Sequence, residues 1–370
     1  MSLSGCATRA GTENYRRRFA GAIPDGHFRL SQDLWLSSIG IGTYLGNPDD
    51  ATDRKYRAAL IAAVELGCNV IDTAANYRCQ RSERSVGEAL KELSARGYRR
   101  EEIVIATKGG FIPYDGAPPE DPRLYFEEAF VKTGIASLAD VVGSCHCMTP
   151  KYLRHQLECS LRNLALDCID VYYLHNPEIQ LGRVSPDEFR ARLTRAFETL
   201  EEAAAAGKIR HYGTATWNGY RNPPSAKDYL SLSEVVELAA KAGGREHRFK
   251  FIQLPVNLGM TEALSLANQN VGGAAMTLLE AAERLGITVM ASASILQGQL
   301  ARNLPGLIAE TFEGLESDAQ RSLQFVRSTP GVTTALVGMK QVAHVEENLR
   351  TARVAPASWE QYSKLFQAAS

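Results

Sequence analysis

The stretch Asn69-Val70-Ile71-Asp72-Thr73-Ala74-Ala75-Asn76-Tyr77 reads as the end of a buried strand running into a short loop. Valine and isoleucine supply the β-branched apolar run, Asp72 ends it with a charge, and Tyr77 follows in the loop. Taken alone, a carboxylate at a strand end is commonly a turn cap or a structural ion pair, and a loop tyrosine is commonly packing. Working outward, the same kind of ending recurs. Val104-Ile105-Ala106-Thr107-Lys108 closes on a lysine, and Ile169-Asp170-Val171-Tyr172-Tyr173-Leu174-His175 closes on a histidine.

Further strands are predicted at Ile39–Thr43, His211–Thr216, Phe251–Pro255, Thr288–Ala291 and Thr334–Val337, and the first three extend over Val70–Asp72, Ile103–Lys108 and Ile169–His175. Between them lie amphipathic stretches with apolar residues three and four apart: Tyr56, Leu60, Ile61 and Val64; Tyr152, Leu157, Leu161 and Leu164; Leu193, Phe197, Leu200 and Ala204. Asp50 and Asp53 stand in capping-box spacing, Thr149-Pro150 supplies a cap followed by proline, and Gly207 stands where a helix needs its C-terminal cap. Strands alternating with helices, with no strand-rich block, predict a parallel α/β protein. A closed barrel and an open doubly wound sheet both satisfy that pattern. Two segments break the rhythm: residues 111–148, carrying Phe111, Tyr114, Tyr125, Phe126 and Phe130, and the polar stretch 217–229 with Pro223-Pro224.

The 370-residue chain is 45% hydrophobic, enough for a large core. Its 41 basic and 42 acidic residues argue against a nucleic-acid or anionic-membrane surface, both of which need a basic excess. No apolar run approaches the roughly 20 residues that span a bilayer. Arg16, Arg17 and Arg18 lack the apolar run of a secretory signal, so residues 1–35 are expected to be an arm lying on the fold. Seven scattered cysteines do not form a disulfide framework and are expected as reduced thiols of a cytoplasmic chain. Cys145-His146-Cys147 lacks the second ligand pair of a zinc site, so no metal is expected. Cys79, between Arg78 and Arg81, has cations that would lower its pKa, although an ordinary loop cysteine is the preferred reading. The run Gly40-Ile41-Gly42-Thr43-Tyr44-Leu45-Gly46 imitates a dinucleotide fingerprint, but its third glycine falls one residue late and no helix opens directly after it.

The chemistry is therefore sought at the strand ends. A phenol titrates near 10 in water and exchanges protons poorly at neutral pH. A neighbouring ammonium favours the phenolate, and a carboxylate behind it holds the ammonium in place. Lys108 and Asp72 suit those roles beside Tyr77. A neutral imidazole from His175 suits the place where charge develops on a carbonyl oxygen during hydride attack.

With these residues in view, the sequence resembles the aldo-keto reductase family. Asp72-Thr73-Ala74-Ala75-Asn76-Tyr77 with Ser82-Glu83-Arg84 and Gly87 resembles the family's second strand and loop. Lys108 and His175 resemble the third and fourth strands, and Ser160-Leu161-Arg162-Asn163-Leu164 with Ile169-Asp170 resembles the run before the histidine. Gly207-Lys208-Ile209-Arg210, Gly213, Gln253, Asn257, Gly338 and Glu347-Asn348 extend the likeness, which covers roughly residues 36–351.

The resemblance implies a single-domain (β/α)8 TIM barrel over 36–370, with an enlarged loop after its third strand. It implies a catalytic set of Asp72, Tyr77, Lys108 and His175, and an NADP(H) cofactor, with NAD(H) as the alternative. Gly42, Thr43, Thr216, Gln253, Ser292, Ile295, Gln297, Gly338, Lys340, Gln341, His344, Glu347 and Asn348 are the implied cofactor residues. Tyr44, Asn176 and Trp217 are the implied substrate residues.

Departures from the family pattern fall in the cofactor site. Ala215-Thr216 replace a Ser-Asn pair, Ser292 replaces a stacking tyrosine, and His344 replaces an arginine at the 2′-phosphate, for which Lys340 and Gln341 remain candidates. The expected activity is hydride transfer between nicotinamide and a small carbonyl or alcohol. The alternative is a cofactor-binding sensor or auxiliary subunit with little turnover. The oligomeric state is not readable. The segment 111–148 leaves the barrel beside Lys108, so its aromatics are expected either to wall the substrate pocket or to pack on the barrel's side.

Overall fold

The computed structural model describes residues 2–367. Eight parallel strands form a closed barrel: β1 (Ile39–Gly42), β2 (Val70–Asp72), β3 (Val104–Gly109), β4 (Ile169–His175), β5 (Ile209–Ala215), β6 (Phe249–Pro255), β7 (Thr288–Ser292) and β8 (Val332–Gly338). Each strand pairs with the next, and β8 returns to β1 through Ala335 opposite Ile39. The strands expected from the sequence are all present, their ends displaced by no more than two residues. Helices α1 (Asp50–Glu65), α2 (Arg81–Ala95), α3 (Pro150–Leu164), α4 (Pro186–Ala205), α5 (Leu232–Gly243), α6 (Leu278–Arg284), α7 (Asp318–Ser328) and α8 (Val342–Leu349) follow the strands one for one. The architecture is the (β/α)8 barrel, not the open sheet.

Strand alternation explains the two cores. Val70, Val104, Ala106, Val171, Tyr173, Ala215, Phe251, Met290 and Leu336 fill the barrel's interior. Ile39, Ile41, Ile71, Ile105, Tyr172 and Leu174 belong to the second cluster, which packs strands against helices. Burying one such aliphatic side chain is worth about 1.5–3 kcal/mol. An antiparallel hairpin, Phe28–Ser31 with Leu34–Ser37, lies before β1; its Leu34 and Leu36, with Ala7, join the interior cluster and plug the barrel floor. Upstream, the helix Arg9–Arg17 is tied down by Tyr15, whose hydroxyl donates to the Val64 carbonyl at 2.6 Å.

Helix ends correct one sequence reading. The cap of α1 is Asp49, one residue before the expected Asp50, and it accepts the Thr52 N–H at 2.7 Å. Asp50 and Asp53 instead bind Arg81 at the start of α2, and Asp53 also binds Arg78 in the turn before it. Thr149 does precede Pro150 at the start of α3, but its hydroxyl pairs with the Cys147 thiol at 3.4 Å. Gly207 ends α4 at φ +74°, a conformation that favours glycine.

The segment 111–148 carries a short helix (Pro122–Phe126) and has a core of its own, in which Phe126, Phe130, Ala136 and Cys147 pack on Tyr152 of α3. Of the two expectations for its five aromatics, side packing holds for four, and of the five only Phe111 lines the mouth. Gly213 in β5 permits a close approach of backbones. A Cβ there would sit 1.8 Å from the Phe251 carbonyl oxygen of β6, beside a register shift between the two strands.

Candidate active site

Because β2, β3 and β4 are adjacent, their ends bring Asp72, Lys108 and His175 together at the carboxyl-terminal mouth. Lys108 is fully buried. Its Nζ donates to Asp72 Oδ2 at 2.6 Å, to the Thr73 carbonyl at 2.9 Å and to the Tyr77 hydroxyl at 3.2 Å. Gln253 Nε2 donates to the other Asp72 oxygen at 2.7 Å. The Tyr77 and His175 rings meet edge to face at 5.8 Å, and Tyr44 and Phe111 flank them at 5.0 Å from Tyr77 and 4.9 Å from His175.

Tyr77 is held by a turn the sequence did not advertise. Arg78, Cys79 and Gln80 follow it with φ of 49°, 56° and 67°, three consecutive residues in left-handed backbone. Such residues cost about 1 kcal/mol or more each and persist where their surroundings fix them. Arg78 donates to the Asn47 carbonyl at 2.9 Å and pairs with Asp53, which also takes Arg81. Gln80 donates to the Tyr114 carbonyl and accepts from Asn163, and the Cys79 carbonyl accepts the Gly116 N–H at 2.9 Å. The motif residues Ser82 and Glu83 serve the same turn: Ser82 binds the Thr43 carbonyl, and Glu83 accepts from Thr107 and Asn163.

Behind His175, His146 Nε2 donates to the His175 carbonyl at 2.8 Å, and Gln180 Nε2 donates to His146 Nδ1 at 3.0 Å. Both nitrogens of the Cys-His-Cys triplet's histidine are thereby used. Among the described residues no cluster of histidine, cysteine and carboxylate is arranged to hold a metal.

Burial pushes the Tyr77 phenol above its usual value; Lys108 opposes this and Asp72 adds to it. Lys108 favours the phenolate as expected, but in the protein alone desolvation outweighs it and the phenol keeps its proton. Burial would lower Lys108, but Asp72 and Tyr77 more than offset it, and the ammonium is retained. His175 is held well below 6.5 by burial and then by Lys108, so its imidazole is neutral. Burial and Asp115 raise the Cys79 thiol despite Arg78 and Arg81, which reverses the direction expected from its neighbours in sequence.

A cleft of about 860 Å³ opens from this group. Every residue named above as a catalytic, cofactor or substrate residue lines it except Lys108, which lies beneath. Two of them are partly committed elsewhere: Gln253 spends its amide N–H on Asp72, and the Thr43 hydroxyl donates to Thr73 at 2.8 Å. The oxygens Asn76 Oδ1, Thr216 Oγ1 and Asn348 Oδ1 are buried without a partner among the described residues, and all three side chains line the cleft. Lys340, at the far end, forms no ion pair among them. Sequence reading missed Asn76 as a lining residue, although it adjoins Tyr77. It also missed Glu178, whose buried Oε1 accepts the Trp217 N–H at 2.7 Å and the Asn218 N–H at 3.3 Å. The Pro177-Glu178 pair just after His175-Asn176 was the available signal.

Fold and site together define a (β/α)8 barrel with a buried Asp–Lys–Tyr–His cluster at the mouth, beside a cleft. The chain belongs to the aldo/keto reductase family: the model of that description matches residues 38–235, more than half of it. An uncharacterized oxidoreductase, YqkF, of Bacillus subtilis (strain 168) is 26% identical over 329 residues, covering 87% of this chain and 89% of the relative. The NADH-specific methylglyoxal reductase of Escherichia coli (strain K12) is 28% identical over 217 residues, 56% of each chain. An aldo/keto reductase from Klebsiella pneumoniae, solved in complex with NADP and acetate, superposes with a TM-score of 0.63 at 21% identity, covering 93% of this chain and 95% of that one.

Proposed function

We propose that this protein is a nicotinamide-dependent reductase of small aldehydes or ketones, with Tyr77 as proton donor. The observation that carries the reading is Lys108 Nζ touching both Asp72 and the Tyr77 hydroxyl on the floor of the cleft. A protonated phenol, a neutral imidazole and a fixed ammonium are the states a carbonyl reduction needs. Tyr77 gives its proton to the nascent alkoxide, and Lys108 stabilises the phenolate left behind. His175 orients the carbonyl oxygen toward the phenol. Asp72 keeps the ammonium in place, and Tyr44, Phe111 and Trp217 exclude water around a small substrate.

NADP(H) is the proposed cofactor, and when bound it supplies the hydride. The partnerless Thr216, Asn348 and Asn76 oxygens fit a ligand rich in amide and hydroxyl groups, and Lys340, with Gln341 and His344, fits a 2′-phosphate. A second reading, cofactor binding with little turnover, draws on Ala215 and Ser292, which offer neither an amide nor an aromatic face.

The test is a fluorescence titration with NADPH and, separately, NADH, followed by turnover of the Tyr77→Phe variant on small aldehydes. The reductase reading expects tight NADPH binding and a turnover loss of about 10²–10⁴-fold with binding unchanged. Failure to bind either nucleotide defeats it. Binding with no Tyr77-dependent turnover moves the assignment to the second reading.

A further inference from the structure

At the end of the barrel opposite the cleft, two cysteines far apart in sequence meet. Residues 3–7 run alongside the segment leading into β4. Leu3 bridges Leu166, and its N–H donates to the Ala165 carbonyl at 2.9 Å. Gly5 N–H donates to Asp167 Oδ1 at 2.8 Å, and Ala7 N–H donates to Asp170 Oδ1 at 2.5 Å. Cys6 lies between those two amides and Cys168 between those two aspartates, so the paired segments bring the two side chains side by side, with the Cys168 thiol donating to the Ile169 carbonyl at 3.8 Å. Arg100 fixes Asp170 at 2.7 Å, and Arg210 donates to the Ala7 carbonyl at 2.5 Å, so both sides of the contact are anchored.

We propose that Cys6 and Cys168 form a redox-responsive dithiol, which small disulfides such as oxidised glutathione convert to a cystine that staples the amino-terminal segment to the barrel floor. Cys6 is partly exposed and Cys168 is buried, which assigns the first attack to Cys6. Cys168 beside it lowers the Cys6 thiol, against burial and Asp170 and with help from Arg210 and Arg100, while Cys168 itself is raised. The other five cysteines are all raised, with burial the largest cause in each.

The Cys6 thiolate attacks one sulfur of the oxidant, forming a mixed disulfide and expelling one glutathione thiolate, which takes up a proton. Cys168 then loses its proton, attacks the Cys6 sulfur and expels the second glutathione. Two electrons and two protons leave the protein thiols, and one oxidised glutathione becomes two reduced ones. Because backbone bonds already hold both segments in place, the second step is intramolecular between prepositioned groups.

The experiment treats the full-length protein with oxidised glutathione at neutral pH, then measures intact mass and a non-reducing peptide map. The wild type is expected to lose two hydrogens, to yield a peptide joining Cys6 to Cys168, and to revert with dithiothreitol. Cys168→Ser is expected to trap glutathione on Cys6, and Cys6→Ser to lose the fast reaction. Tryptic cleavage after Arg9 is expected to slow about tenfold on oxidation. A stable glutathione adduct on the wild type, or modification spread over Cys145 and Cys159 with no joined peptide, overturns the proposal. NADPH titration of each variant reports that the barrel remains folded.

Discussion

Lys108 gives one hydrogen bond each to Asp72, the Thr73 carbonyl and the Tyr77 hydroxyl, which uses all three of its donors. An ammonium so enclosed depends on its carboxylate. Asp72→Asn removes that charge and is expected to lower unfolding free energy by about 3–5 kcal/mol, measured by urea denaturation. The double variant Asp72→Leu, Lys108→Met is expected to recover much of that loss, because it leaves no uncompensated charge. With the phenol raised above 10 by burial, reduction at saturating substrate is expected to be flat from neutral pH upward and to decline only in the alkaline range. A steady-state pH profile checks this, and a limb near neutrality contradicts it. Asp72, Lys108 and His175 were legible because each is a polar ending on an apolar run, and Tyr77 because it follows Asp72 in the same loop. The direction of the Tyr77 shift was not, since burial is set by Tyr44, Phe111 and the cleft walls, which arrive from other elements.

At the scale of elements, the turn after Tyr77 stores left-handed backbone that Arg78 secures through Asn47 and Asp53. Arg78→Ala is expected to loosen Tyr77 and cut turnover about 10–100-fold while leaving cofactor affinity nearly unchanged. Glu178 ties the loop after β4 to the loop after β5, and burial raises its carboxyl to about 7 although backbone amides oppose the rise. A raised acid binds more protons folded than unfolded. Its penalty is therefore absent below the unfolded value near 4.5, grows as pH rises to about 7, and then stays constant. Glu178→Gln is expected to shift stability in the variant's favour by about 3 kcal/mol between those limits, read from denaturation at pH 4.5 and 8. The floor hairpin shows why some elements were silent. Its turn is Gln32-Asp33, both at positive φ, where asparagine and glycine are the usual signal. The side-packing of segment 111–148 was equally hidden, because its aromatics have no period and their partner, Tyr152, lies on α3.

For the whole molecule, buried imidazoles set the acid limit. Burial holds His27 and His211 at about 3 and His146 at about 4. Lowered folded values mean that the unfolded chain binds more protons below 6.5, so stability is lost as pH falls through that window. Each contributes about 2 kcal/mol of loss by pH 5, partly offset by Glu178 running the other way. A fall in the thermal midpoint between pH 6.5 and 5 that lessens in His27→Gln is the expected result. Closure of the barrel is not carried by the periodicity of any stretch and was expected only from the family resemblance. Ala335 and Ile39 lie at opposite ends of the chain, and their pairing is decided by the sum of eight strand tilts, not by either strand.

Gly213 follows from that closure. In an open sheet an unwanted methyl group is absorbed by an edge that swings away. A ring has a fixed circumference, so a methyl pressed against the Phe251 carbonyl lengthens the perimeter and is shared by every seam. The seam it opens first carries Thr216 and Gln253, joined by the Thr216 N–H donating to the Gln253 carbonyl at 2.8 Å. A single methylene's worth of bulk, two residues below the mouth and touching no ligand, thereby acts as a hoop stress on the whole rim. At this seam the rim keeps its width because Gly213 has no side chain.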